Sequence, residues 1–394
     1  MKYLLSFLLI VSALVVPAVA QPSSHVFVVM LENRSDSEAM KYMPYLSGLA
    51  NQYSRSLEAY SPSHGSFLAY LELTTGVAPK NGSADNGNCN GDGCTNPYTK
   101  DNLVRELAKR GKTWRGYFQS LPYQGYMGSQ DGEYVRRHNP FPSLSDVFNS
   151  YDQQQNMVPW TNNFALDLAA DNVANYTWLV PDLTHDGHDP GDDTQTALHN
   201  ADVYLSQQLP LLLHSKYFQP GGDGVLLVTF DESDLDGDNS CSEQQKQGCG
   251  GHIFFALIGP GVRRQYQSST HMMQNDMLRG TCDMLGISPC PGDGASVPGL
   301  AEFLAGVTVT ITSPYDYYPD SGPYTNLQAT ATSTNGAINA WAVYVDGVLY
   351  KKYPGSSSLQ AWVPTPLGLH IIGVNAWDIK GAVGVSEVHV TRTY

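Results

Sequence analysis

His25-Val26-Phe27-Val28-Val29-Met30-Leu31 runs into Glu32-Asn33, and Val225-Leu226-Leu227-Val228-Thr229-Phe230 runs into Asp231-Glu232. Short β-branched runs closed by turn residues have the pattern of strands buried on both faces of a parallel sheet, and ligands of such sheets gather at the carboxyl ends of the strands. With both strands central, three carboxylates and one amide meet at one point. Carboxylates that close repel one another and are costly to desolvate, which points to a cation between them. Oxygen donors favour Mg²⁺, Ca²⁺ or Mn²⁺, and Zn²⁺ accepts carboxylates too. One such acidic pair is ordinary turn or helix-cap chemistry. Two pairs after two similar strands weigh against that reading.

A third segment adds a nucleophile. In Ser61-Pro62-Ser63-His64-Gly65-Ser66-Phe67-Leu68-Ala69-Tyr70-Leu71-Glu72-Leu73-Thr74-Thr75-Gly76 a hydroxyl-rich turn enters a predicted helix. A serine at a helix N-terminus lies among backbone N–H groups that favour phosphate oxygens and a lowered hydroxyl pKa. Metal beside such a serine suits phosphoryl or sulfuryl transfer.

These residues resemble the bacterial phosphoesterase family of phospholipase-C-type enzymes and acid phosphatases, within the alkaline phosphatase superfamily. The matching pieces are Val29-Met30-Leu31-Glu32-Asn33-Arg34-Ser35, His64-Gly65-Ser66 with Tyr70 and Gly76, Thr113-Trp114-Arg115-Gly116-Tyr117, and Arg137-His138-Asn139-Pro140-Phe141. Val180-Pro181-Asp182 through His185-Asp186-Gly187-His188-Asp189, Thr229-Phe230-Asp231-Glu232-Ser233-Asp234 and Ile258-Gly259-Pro260-Gly261-Val262 complete the set. The resemblance implies an alkaline-phosphatase-like α/β sheet flanked by helices. It implies that Glu32, Asn33, Asp231 and Glu232 bind a divalent metal, with Ser66 as nucleophile and further ligand. His188 and His138 would lie near the phosphoryl oxygens, and His185 shares the Gly- and Asp-rich loop of His188. Ser63, which follows a proline, is the rival nucleophile; the distances to Tyr70 and Gly76 favour Ser66. Gln274 stands where related sequences often carry histidine. The remaining histidines His25, His199, His214, His370 and His389 read as structural or surface groups, and His252 is intermediate.

The chain ends and composition address compartment and partners. Met1-Lys2, an apolar stretch from Tyr3 to Val16 and Pro17-Ala18-Val19-Ala20 before Gln21 form an export signal over residues 1–20, so a secreted protein, periplasmic or extracellular, is expected. No later apolar run approaches the ~20 residues of a membrane span. Six cysteines suit an oxidising compartment, and proximity suggests Cys89–Cys94, Cys241–Cys249 and Cys282–Cys290. A net charge of −15 argues against nucleic acid as partner. Asp234-Leu235-Asp236-Gly237-Asp238-Asn239 imitates a calcium loop with its glycine misplaced and reads as a solvated acidic loop.

The pattern changes near Gly306. Residues 21–306 alternate strand-like runs with helical ones such as 102–110, an α/β catalytic domain. Residues 307–394 hold about seven short alternating strands with a tight hairpin at Asp346-Gly347, the pattern of an immunoglobulin-like sandwich. Together these readings describe a secreted metal-dependent phosphoesterase that takes a small phosphate ester or a phospholipid headgroup through a phosphoserine, with the sandwich available for cell-surface or glycan contact. The alternatives are an inactive adhesion or glycan-binding protein and a metal-independent serine esterase.

Overall fold

Seven consecutive positions of His25–Leu31 and seven of Gly224–Phe230 form neighbouring parallel strands, with all but His25 buried. Their continuous apolar character follows from coverage on both faces. In the computed structural model, which describes residues 24–77, 89–90, 93–94, 96–188, 193–219, 222–233, 250–333, 336–379 and 382–393, these two strands are the middle pair of an eight-stranded sheet. Its order is 266–268, 54–56, 255–258, 224–230, 25–31, 176–180, 114–118, 157–159. The four strands from 25–31 to 157–159 are mutually parallel, and 255–258 runs antiparallel to both its neighbours. The strand Tyr176–Val180 leads into the loop of His185 and His188. The expected helix near residue 102 runs Leu103–Lys109, with the Asn102 side chain capping the amide of Arg105.

Every residue of the helix Ser66–Thr75 is buried, the polar Ser66, Glu72, Thr74 and Thr75 included. Gly65 enters it at φ +104° and Gly76 leaves it at φ +69°. At Gly76 a Cβ would sit 2.3 Å from the carbonyl of Pro291, so only glycine allows the helix end to approach the segment before residue 293. The disulfide Cys282–Cys290 forms as expected. Cys89 and Cys94 oppose each other in a two-residue ladder, whereas Cys241, Cys249, the acidic run after Asp234 and the export signal lie outside the described residues.

From Val307 onward the chain is all β. A three-stranded sheet of Val307–Ser313, Tyr324–Ser333 and Ser358–Pro364 and a five-stranded sheet share one apolar core, to which Leu327, Ala361, Trp341, Val374 and Val390 contribute. Asp346 and Gly347, both at positive φ, close the expected hairpin with Val345 opposite Val348, the left-handed pair that a type I′ turn requires.

Candidate active site

The chain turns sharply where the two central strands end, and the turn residues become the site. Asn33 adopts φ +49° and donates its amide to Asp231 Oδ1 at 2.8 Å; the Glu232 amide donates to the same oxygen at 2.7 Å. Asp231 is fully buried. Its other oxygen, Oδ2, has no hydrogen-bond partner among the described residues. Glu32, 2% exposed, accepts the Ser66 hydroxyl on Oε1 at 2.9 Å. His138 Nε2 lies 3.0 Å and Arg137 Nε 3.6 Å from that oxygen, and His188 Nδ1 lies 4.0 Å from Oε2. A third strand end supplies Asp186: its carbonyl accepts the Glu32 amide, and its Oδ1 accepts the His188 amide, both at 2.8 Å. Glu32, His138 and Asp186 present ligand atoms within 4.8 Å of one another. The Tyr70 ring, one helical turn after Ser66, stacks on His138 at 5.3 Å between centroids.

Electrostatics separates the carboxylates. Burial pushes Asp231 well above the usual carboxylate range, and the charges of Glu232 and Glu32 push the same way against two amide hydrogen bonds. Burial acts likewise on Glu32, but the charge and hydrogen bond of His138, helped by Asp186 and Arg137, outweigh it and hold that carboxyl well below its ordinary value. Tyr70 is raised by burial and then by Asp231, Glu32 and Asp186. A buried carboxyl with an open oxygen, beside a second held ionised, is the donor set a divalent cation completes. The oxygen-rich set with one imidazole fits such an ion.

The structure therefore brings Glu32, Ser66, Asp231 and His138 together, with His188 at the rim. Glu232 adjoins Asp231, but its Oε2 is held by His64 Nδ1 at 2.7 Å and the Gly65 amide at 2.9 Å. His185 is stacked on Tyr204 at 4.5 Å and hydrogen-bonded within reach of Gln119 and Asp182; no contact links it to the carboxylates among the described residues. The Ser63 hydroxyl is buried without a hydrogen-bond partner among the described residues. Gln274 donates to the carbonyls of Phe230 and Asp231 at 3.2 and 2.7 Å, clamping the strand end rather than reaching its side chains. Asp186, His64 and Arg137 lay inside the quoted motifs without a role. The rule that singled out the ends of the two central strands, applied to the loop after Val180, finds Asp186; nothing local marks His64 as a partner of Glu232, 168 residues away. His25, His370 and His389 pair with Asp223, Asp346 and Asp316, as structural groups should.

Residues 37–281 match the Phosphoesterase family. The chain belongs to that family. The match begins just beyond Glu32 and Asn33. Among relatives, a probable acid phosphatase from Kluyveromyces lactis is 29% identical over 148 residues, covering 36% of this chain and 33% of that protein. A phosphatidylinositol-3-phosphatase from Mycobacterium tuberculosis is 25% identical over 221 residues, covering 54% and 64%. The chain thus spans between a third and just under two thirds of the length of these relatives. A solved protein of the alkaline phosphatase superfamily from Vibrio parahaemolyticus is 12% identical, with a TM-score of 0.46 over 94% of this chain and 84% of that one.

Proposed function

We propose that this phosphoesterase-family chain is a secreted, metal-dependent hydrolase of phosphate esters that works through a phosphoserine at Ser66. The observation that carries the reading is the pairing of the Ser66 hydroxyl with Glu32 at 2.9 Å next to the open, buried Oδ2 of Asp231. Glu32, Asp231, Asp186 and His138 would hold the ion, with Asn33 and Glu232 adjoining. A divalent ion there supplies positive charge that neutralises phosphoryl oxygens and favours the serine alkoxide.

The side chains divide the remaining work. Ser66 stands at the N-terminus of a ten-residue helix whose cap makes no side-chain hydrogen bond; the Gly65 amide is taken by Glu232 and the Leu68 amide by the Gly65 carbonyl, and the helix end favours an incoming phosphoryl group. The Ser66 proton points at Glu32 Oε1. Attack forms the Oγ–P bond and breaks the P–O bond to the alcohol; His188, with side-chain relative exposure of 34%, can reach the departing oxygen with a proton. Water then displaces phosphate from Ser66. The contact of Ser66 with a carboxylate rather than a histidine favours this scheme over a serine esterase triad. Export is supported by the Cys282–Cys290 disulfide, and among the described residues no helix is long and apolar enough to cross a membrane.

Phosphomonoesters and phospholipid headgroups remain the two substrate classes. Tyr123, Tyr126 and Tyr134 pack edge to face on one another at 5.3 and 5.5 Å, with Tyr134 buried and Tyr123 exposed, so the rings close on each other rather than open as a cage for a choline cation. The smaller ester is the better fit. Turnover of p-nitrophenyl phosphate that prolonged EDTA abolishes and a divalent ion restores is expected; full retention after EDTA, or turnover of p-nitrophenylphosphorylcholine alone, would refute the reading in its metal or its substrate.

A further inference from the structure

The sandwich carries a second surface whose chemistry differs from that of the catalytic end. In its three-stranded sheet the inward positions, such as Leu327, Leu359 and Val363, fill the core while alternate positions face solvent. On the outward face Asn326 stands opposite Trp362, and Gln328 opposite Gln360. Trp362 is 61% exposed, and Tyr324, on the same face opposite Pro364, is 53% exposed. Tyr350 of the other sheet, whose strand also carries Lys351 and Lys352, donates its hydroxyl to the Trp362 carbonyl at 3.4 Å. Asn326, at the edge of this patch, is half-buried, and its Oδ1 is a buried atom without a hydrogen-bond partner among the described residues. The strands Val307–Ser313, Tyr324–Ser333 and Ser358–Pro364 contain no charged residue, although the chain carries −15.

The missing charge selects the partner. Nucleic acid or an anionic lipid surface calls for lysine and arginine around the contact, and a soluble acidic chain gains nothing from an exposed indole unless something covers it. What the face offers is a planar π-surface bordered by side-chain amides and hydroxyls. Sugar rings match both halves of that offer: axial C–H groups pack on the aromatic face, and equatorial hydroxyls exchange hydrogen bonds with amides.

We propose that this face binds an uncharged polysaccharide, with Trp362 as the stacking platform, Tyr324 and Tyr350 beside it, Gln328 and Gln360 as hydrogen-bond partners, and Asn326 at the edge of the platform. The role is separate from the phosphoesterase reading, since no residue of the strand-end site takes part. Depletion of the full chain from solution by microcrystalline cellulose and by chitin particles, at low and high salt, tests it. Retention on at least one particle at both salt levels is expected, falling about tenfold or more in Trp362→Ala, as for an aromatic anchor, and less in Trp362→Tyr and Asn326→Ala. Turnover of p-nitrophenyl phosphate and the melting temperature should match wild type in all three, which separates loss of the platform from loss of the fold. No retention on either particle, retention abolished by salt, or equal retention by Trp362→Ala and Asn326→Ala would overturn the proposal. So would sedimentation that shows the face pairing two copies of this chain without any glycan retention.

Discussion

Both halves of the molecule bury carboxylates, but they treat them in opposite ways. In the sandwich, Asp320 accepts the Thr325 hydroxyl at 2.6 Å and the Gly322 amide at 2.9 Å, and Asp378 accepts the Ser333 hydroxyl at 2.6 Å and the Ala382 amide at 3.0 Å. Each is isolated, and both of its oxygens are satisfied. At the strand ends Glu32, Asp186, Asp231 and Glu232 crowd together, and Asp231 Oδ2 is left open. Desolvation without compensation costs a fold stability and is retained where function needs it. The contrast teaches that burial of acid groups alone does not identify a site; convergence with an unsatisfied oxygen does.

The largest effect that could break this contrast is in the metal set. Asp231→Asn and Glu32→Gln should each reduce turnover by about 10³-fold or more, with less bound metal by plasma mass spectrometry. The metal-free melting temperature of Asp231→Asn should equal or exceed that of wild type, because a repelling charge is gone, whereas Glu32→Gln, which loses the charge held by His138 and Arg137, should melt lower. Asp378→Ala, made for comparison, should lower stability by ~1–3 kcal/mol as it removes the acceptor of the Ser333 hydroxyl and the Ala382 amide and should leave turnover unchanged. Equal metal content in wild type and both site variants would erase the distinction drawn between the two kinds of carboxylate.

A smaller catalytic effect is expected at the rim. His188→Ala should lose roughly 10²-fold with alkyl phosphates, as for a missing general acid, and much less with p-nitrophenyl phosphate, whose leaving group needs no proton. A loss equal for both substrates would assign His188 to binding instead.

Glu72 sharpens the comparison within the catalytic half. It lies fully inside the Ser66 helix region, where burial first and Asp293 second push its carboxyl up to about 8. Because the folded value exceeds the unfolded one of 4.5, its stabilising proton is fully in place below pH ~4.5 and is lost as pH rises through ~8. Glu72→Gln should therefore flatten the dependence of stability on pH across that window, by an amount on the order of a few kcal/mol. Denaturant titrations with parallel pH slopes in both proteins would show that Glu72 does not carry it.

The smallest effect is expected on removing the sandwich. A chain ending near Gly306 should keep turnover of p-nitrophenyl phosphate within about twofold, since every residue placed at the site precedes it. A cooperatively folding truncation without activity would mean that the boundary is misplaced or that the sandwich completes the site.

Much of this was legible from the chain because its strongest signals are local. The two apolar runs specify the central strands, and a parallel sheet then delivers Glu32 and Asp231 to one edge without further information. Seven of the eight strands after Gly306 and the Asp346-Gly347 turn are likewise short-range patterns; the three-residue strand Tyr318–Asp320 is too short to alternate visibly. The participation of Asp186 was within reach of the same strand-end rule, but that of His64 was not legible, because its pairing with Glu232, 168 residues away, is set by tertiary contacts. His185 and His188 are three residues apart in one loop, yet Gly187 at φ +96° divides them: His185 turns to Tyr204 and His188 toward Glu32. Composition does not reveal such a divergence.

Rapid acid quench of the metal-loaded enzyme with substrate, followed by peptide mass spectrometry, tests the central claim most directly. Phosphate is expected on the peptide beginning near Ser61, located at Ser66 by fragmentation and absent from Ser66→Ala, while Ser63→Ala still acquires it. Phosphate on Ser63, or a Ser66→Ala enzyme turning over at near wild-type rate, would contradict the assignment of Ser66 and the site geometry built around it.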